Sequence, residues 1–281
     1  MNVVQRRSFA QTPLSQKHAA IFIEIAERLS GNRITPDQVD FLTLRVRRRM
    51  RVYRDESFEG YIRRVQDDQV EEHALMESLV THTTDFFREP GHFKWLRNGG
   101  LNGLTDGKPA SCLNVWSAAC SLGSELWSTA IEIAQFQEDA GVPYCANLVG
   151  TDISKTILAR ARAAIFSAEE ISGLPIQYRS KYLQRNSIEN QRFRIASPLL
   201  ESASFVAHNL LTPPLFSTLQ FDLSLLRNVL LYFNKDDQQR VFNHVLSRLR
   251  PGGILMIGHT EVLSIETIGT RRVGPAIFIK E

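Results

Sequence analysis

Apolar positions repeat with two different patterns along this chain, and the change falls just after Pro90. Before it, Phe22, Ile25, Ala26 and Leu29 recur at helical spacing, and Gly31 supplies a stop. Thr35-Pro36-Asp37-Gln38 reads as a helix start, with threonine as N-cap, proline at the first helical position and glutamine closing a capping box. Val39, Leu42, Val46 and Met50 share one face of the helix that follows. Val70, Ala74 and Leu79 point inward from a helix over 69–82. No strand pattern interrupts this region.

After Pro90 a short helix over 92–97 leads into a loop with Gly99, Gly100, Gly103 and Gly107. Strands at 113–119, 146–150, 221–226 and 254–258 then alternate with helices at 125–138, 155–164 and 236–249, with a turn at Pro251-Gly252-Gly253. Such alternation predicts an α/β fold: a parallel sheet with helices on both faces. Residues 167–204 fit it poorly. They read as a small inserted subdomain, with antiparallel strands around 193–195 and 205–207.

Composition narrows this picture. The 281 residues, 43% hydrophobic and 22% charged, allow one large domain or two smaller ones with cores of their own. No apolar run reaches the roughly 18 residues of a membrane span. Arg6 and Arg7 are followed by no apolar segment, which argues against a signal peptide. Cys112, Cys120 and Cys145 form no CxxC pair and read as reduced, buried thiols of a cytoplasmic protein. The histidines offer no HxxxH or HExxH spacing, so no metal site is expected. Net charge is only +3, yet Arg45, Arg47, Arg48, Arg49, Arg51 and Arg54 crowd one helix, which points to an acidic partner. Arg47, Arg51 and Arg54 form one stripe on that helix.

Four segments carry candidate chemistry. Val115-Trp116-Ser117-Ala118-Ala119-Cys120-Ser121-Leu122-Gly123-Ser124-Glu125 turns from strand to helix at the sheet edge where open α/β folds bind ligands. It has one glycine, too few for a pyrophosphate cradle, but small Ala118, Ala119 and Ser121 suit a nucleoside cofactor without phosphate. Asp152 ends the second strand, where an acidic side chain accepts ribose hydroxyls; helix N-capping is its alternative role. In Phe221-Asp222-Leu223-Ser224-Leu225-Leu226-Arg227-Asn228-Val229-Leu230-Leu231-Tyr232-Phe233, Asn228 and Tyr232 are polar groups in an apolar run and need partners. In Thr83-Thr84-Asp85-Phe86-Phe87-Arg88-Glu89-Pro90, Arg88 can clamp a carboxylate bidentately, or pair with a nearby Asp or Glu.

In this order, TTDFFRE, VWSAACSLGSE, GTDIS, FDLSLLRNVLLYF and LRPGGILMIGHTE resemble the chemotaxis-receptor glutamate methyltransferase family, CheR, over nearly the whole chain. The resemblance implies an all-α N-terminal, substrate-docking domain at 1–85. It implies a Rossmann-like class I methyltransferase domain at 86–281, with an inserted β-subdomain at about 167–204. It implies methyl transfer from S-adenosyl-L-methionine to receptor glutamates, with S-adenosyl-L-homocysteine as product. By motif position, cofactor contacts fall on His82, Thr84, Arg88, Ala118, Glu125, Asp152, Asn209, Asn228 and Val229. Arg88 and Tyr232 face the reacting groups, and Arg47, Arg51 and Arg54 dock the substrate. The implied partner is the cytoplasmic domain of a methyl-accepting chemoreceptor, with no nucleic acid and no direct membrane insertion; the oligomeric state is open, with a monomer expected.

The chain departs from the family at His82, where Asn is usual, and at Ser124 and Leu226 in the second and fourth motifs. No glycine occurs between Gly173 and Gly252. Members that dock a receptor's C-terminal peptide have a glycine-containing loop there, so that docking mode stays open. Two other readings remain. Amino-directed nucleic-acid methyltransferases carry Asp/Asn-Pro-Pro-Tyr/Phe where this chain has Arg227-Asn228-Val229-Leu230; its one Pro-Pro, Pro213-Pro214, precedes that strand. A catalytically dead, cofactor-binding adaptor draws support from His82 and Ser124 alone.

Overall fold

The computed structural model describes residues 13–55, 57–185, 191–261 and 267–281; Arg6 and Arg7 lie outside them. The described residues divide into two compact units. One runs through Thr81 and includes Tyr232–Asn234; the other comprises His82–Leu231 and Lys235–Glu281.

The first unit is helical: α1 (Gln16–Ser30), α2 (Val39–Tyr53), α3 (Phe58–Asp67) and α4 (Gln69–Leu79). Gly31 ends α1 at φ +72°, a left-handed conformation that glycine adopts without steric cost. Gln38 Oε1 accepts the Thr35 N–H at 3.1 Å, the reciprocal half of a capping box. Helix α4 packs against the other three. Phe22, Leu42, Val46, Tyr61 and Leu75 are fully buried among them. So is Glu71, whose carboxylate accepts Arg49 Nε at 3.1 Å and the Tyr61 hydroxyl at 2.5 Å. A buried carboxylate is tolerated only with such partners, so Arg49 is a core residue of this unit.

The second unit is built on a seven-stranded sheet. Its strands are β1 (Leu113–Ser117), β2 (Ala146–Asp152), β6 (Ala203–Ala207), β7 (Phe221–Leu226), β8 (Leu249–Ile257), β9 (Thr270–Gly274) and β10 (Ile277–Lys280). Their order is β6-β2-β1-β7-β8-β10-β9; the first five are mutually parallel, and β10 runs antiparallel to both of its neighbours, β8 and β9. Reversal of strand order around β1 opens a crevice at the carboxyl edge. Helix α5 (Pro90–Trp95) precedes the sheet. The crossover helices are α6 (Ser124–Asp139) and α7 (Lys155–Ala163), and α9 (Lys235–Arg248) leads into β8.

A second, three-stranded antiparallel sheet holds β3 (Ile165–Ser167), β5 (Arg192–Ile195) and β4 (Leu183–Arg185), with α8 (Ile176–Tyr182) leading into β4. Residues 205–207, expected in this small sheet, instead form the edge strand β6 of the main one, parallel to β2. Gly150 on β2 permits that: the ring of Phe205 lies where a Cβ on Gly150 would meet it at 2.6 Å. Pro251-Gly252-Gly253, expected as a turn, lies inside β8, where a register shift against β7 absorbs it.

The cysteines correct another expectation. Cys112 and Cys145 form a disulfide, and Cys120 alone is a free, buried thiol. The β1–β2 register, Leu113 opposite Ala146, makes the two preceding residues neighbours, with Cα atoms 4.7 Å apart. Buried Gln137 reinforces this by accepting the Cys145 N–H at 2.8 Å and donating to the Ser111 and Cys145 carbonyls.

Candidate active site

Three strand ends converge at the carboxyl edge of the large sheet. After β1, Ala118 donates to the Leu225 carbonyl of β7 at 2.8 Å, and Cys120 donates to Thr151 of β2 at 2.8 Å. The loop then turns through Ser121 at φ +50° and Gly123 at φ +84° into α6. Gly123 has a steric role as well, because a Cβ there would lie 3.0 Å from the Trp127 ring nitrogen.

Asp152, 6% exposed, closes this loop onto β2. Its Oδ2 accepts the Ser121 N–H at 2.9 Å and its Oδ1 the Ser154 N–H at 3.0 Å. The cap of α7 is Ser154, whose Oγ accepts the Ile157 N–H, so Asp152 is not the capping residue. Each carboxylate oxygen retains a lone pair for a further donor such as a hydroxyl. His82 joins through its carbonyl, which accepts Ser121 Oγ at 3.0 Å. The His208 N–H donates to the Asp152 carbonyl, placing Asn209 one residue further along; Asn209 Oδ1 accepts the Leu211 N–H.

Beside this loop lies a network of charges. Glu125, in the first turn of α6, accepts Ser117 Oγ at 3.0 Å and Arg227 Nη1 at 2.8 Å. Arg227 follows β7 with its side chain 1% exposed. Its Nη2 donates to the Arg88 carbonyl and lies 3.3 Å from Glu89 Oε2. Burial pushes the Glu125 carboxyl up and outweighs the pull of Arg227. Burial would raise Glu89 too, but the Asn228 amide and Arg227 hold it below the usual carboxylate range. The His92 ring, 1% exposed, is pushed down to about 4 by burial and by Arg227. Glu89, His92 and His259 bring potential ligand atoms within 4.8 Å of one another. Arg227 already supplies the positive charge at Glu89, which opposes a metal cation in that cluster.

The segment before α5 makes a strained corner, with Phe87 at φ +55° and Glu89 at φ +56°. Core contacts enforce it. Phe86 packs edge-on against Phe166, Phe87 packs on Phe93, and the Phe87 N–H donates to Ser128 Oγ. Arg88 stands between them, half-buried. It donates to the Thr83 carbonyl at 3.1 Å and, among the described residues, pairs with no carboxylate. Thr84 is half-buried beside it. Asn228 adopts φ +56°, and its Nδ2 reaches Glu89 Oε1 at 3.2 Å; Val229 follows it, half-buried.

The structure therefore gathers His82, Ala118, Glu125, Asp152, Asn209, Asn228 and Val229, with the Arg88 segment tied in through Arg227. Tyr232 belongs to the helical unit, where its carbonyl accepts the Arg33 N–H at 2.8 Å and it lines a cleft of about 180 Å³ with Asn32, Phe41 and Leu79. Arg51 is exposed on α2 and Arg54 is exposed just past its end, where φ +57° terminates the helix and takes Arg54 off the expected helical stripe; Arg47 is half-buried with its guanidinium over the Phe58 ring. Arg227, Glu89 and Glu261 were not singled out from sequence. Their one visible signal was a charged residue inside a motif.

The donor set fits a cationic nucleoside cofactor: a strand-end carboxylate for ribose, small residues in the loop, and acceptor-only Glu125 at the cleft. Residues 82–274 match the family model described as "CheR methyltransferase, SAM binding domain". The chain is 32% identical to a chemotaxis protein methyltransferase of Borreliella burgdorferi, covering 67% of each chain. It is 28% identical to chemotaxis protein methyltransferase 2 of Pseudomonas aeruginosa over 89% of this chain and 88% of that one. Against the chemotaxis protein methyltransferase of Escherichia coli the identity is 29%, over 89% and 86%.

Proposed function

This chain belongs to the CheR methyltransferase family, and from that premise we propose that it methylates glutamate side chains on the cytoplasmic helices of a chemoreceptor. The observation that carries the reading is the convergence of Asp152, Glu125 and Asn228 at one sheet edge, with Arg88 on the adjoining corner. Asp152 would hold the ribose of S-adenosyl-L-methionine, and Glu125 would face its charged amino-acid end. When bound, that cofactor supplies a sulfonium methyl group that passes to a carboxylate oxygen, leaving a methyl ester and S-adenosyl-L-homocysteine.

The protein's own task is then alignment and exclusion of water. A carboxylate is ionised near neutral pH, so no general base is needed. Opposite charges diminish as the methyl group moves, so a poorly solvated cleft favours transfer. The Arg88 guanidinium orients the acceptor carboxylate through its planar fork. Arg51 and Arg54, with Arg47, dock the acidic helix. Among the described residues no helix is long and apolar enough to cross a membrane.

The experiment is methyl transfer by Arg88 variants. Arg88→Ala lowers turnover by at least about tenfold, as for loss of a charged hydrogen bond, with little change in melting temperature. Arg88→Lys does not restore it, because a point charge lacks the fork. Full activity in the lysine variant would reduce Arg88 to a structural charge.

A further inference from the structure

The turn that carries Asn228 is held by a carboxylate to which the reaction as described assigns no part. Glu261 is 2% exposed. Its Oε2 accepts the N–H groups of Asn228 and Gly258, both at 2.8 Å, and its Oε1 accepts that of Leu231 at 3.3 Å. β7 ends at Leu226, and the chain turns away through Asn228 in the left-handed region at φ +56°. Such a conformation is costly for a residue with a Cβ and persists only where its surroundings impose it. The N–H groups that follow find no strand partner. Three converging donors require a group that only accepts, and an ionised carboxylate is the side chain that does so with two oxygens.

Space around the carboxylate is as closely set as its hydrogen bonds. A Cβ on Gly258 would lie 2.5 Å from Glu261 Oε2, 2.8 Å from Asn228 Nδ2 and 3.0 Å from the Asn228 nitrogen. Glycine at 258 is therefore what lets the carboxylate reach under the turn. On the other side of the turn, Asn228 Nδ2 is fixed by Glu89 Oε1 at 3.2 Å. Glu261 thus sets the backbone and Glu89 the side chain of one residue.

We infer that Glu261 is a positioning residue for methyl transfer: its carboxylate fixes the turn that presents Asn228 and Val229 to the cofactor. This rests on the reading of Asn228 and Val229 as cofactor contacts. Glu261→Gln keeps the volume but replaces one acceptor oxygen with an NH2 aimed at backbone N–H groups. Binding of S-adenosyl-L-homocysteine, measured by calorimetry well below the melting temperature, weakens by at least about tenfold. The KM for S-adenosyl-L-methionine rises with it, while the KM for receptor does not. Gly258→Ala, which displaces the carboxylate, has the same signature. Glu261→Asp, which keeps the charge at shorter reach, replaces the glutamine variant if that fails to fold.

Asp152→Ala, measured in parallel, separates the two ideas. If Asp152→Ala loses affinity and the Glu261 variants keep it, positioning by Glu261 is overturned, even when their melting temperatures drop. If none of them changes affinity, the assignment of the cofactor site itself is overturned, and the inference with it.

Discussion

The backbone N–H of Ser121 donates to Oδ2 of Asp152 at 2.9 Å, so the loop after β1 is fastened to the end of β2 by the side chain proposed to hold the ribose. The proposed ribose role would thus be a second function of Asp152 beside the loop contact. Asp152→Ala removes both the loop's acceptor and the ribose acceptor. Affinity for S-adenosyl-L-homocysteine falls by about 1.5–3 kcal/mol, as for hydrogen bonds to a charged group. Asp152→Asn keeps one acceptor oxygen and loses less. Calorimetry on the three proteins checks the order; equal affinity in all three removes Asp152 from the site.

His92 supplies a pH dependence that belongs to the fold. Burial and Arg227 push the folded ring from 6.5 down to about 4, while Glu89 pulls the other way and His259 adds to the lowering. The unfolded chain thus takes up a proton near 6.5 that the folded chain refuses until about 4. This contribution to stability is complete above 6.5, is lost as pH falls through that window, and levels off near 4. It amounts to about 3 kcal/mol. Urea unfolding at a series of pH values should show a flatter profile for His92→Gln than for wild type. Parallel profiles would mean that other groups carry the dependence.

Docking through α2 makes a kinetic prediction. Arg51→Glu with Arg54→Glu reverses two exposed charges and leaves the packing of Arg47 on Phe58 and of Arg49 on Glu71 untouched. Exposed charges steer encounter and are screened by salt. The double variant therefore has a raised KM for receptor and a weaker salt dependence of that KM, with cofactor affinity unchanged. Identical KM and salt slope in variant and wild type would make these arginines an ordinary solvated surface.

What the sequence disclosed, and what it hid, follows from range. The α/β alternation and the Phe221–Leu226 strand were legible because periodicity is local. β6 was misread because only Phe205 of its five residues is buried, as befits an edge strand. The β9–β10 hairpin was missed: β9 is short, with Arg271 and Arg272 exposed and no fully buried residue, so it gives no apolar alternation. The Cys112–Cys145 pair is visible only once the β1–β2 register is known. Glu125 followed from the family resemblance alone; Asp152 could be read as a candidate because it ends a strand, and Asn228 because it is polar within an apolar run. Arg227 could not, because its partners Glu89 and Glu125 lie more than a hundred residues away and meet it only across the strand ends.

Esterification of receptor glutamates by this chain is checked most directly by transfer of labelled methyl groups. Purified protein is incubated with methyl-labelled S-adenosyl-L-methionine and a panel of chemoreceptor cytoplasmic fragments. Released label is scored before and after mild base, because a glutamate methyl ester hydrolyses there whereas methylated nitrogen does not. Base-labile label is expected on a receptor fragment, abolished when the acceptor glutamates are changed to alanine and strongly reduced with Arg88→Ala. Cofactor binding without transfer to any fragment, or label that survives base, would contradict it.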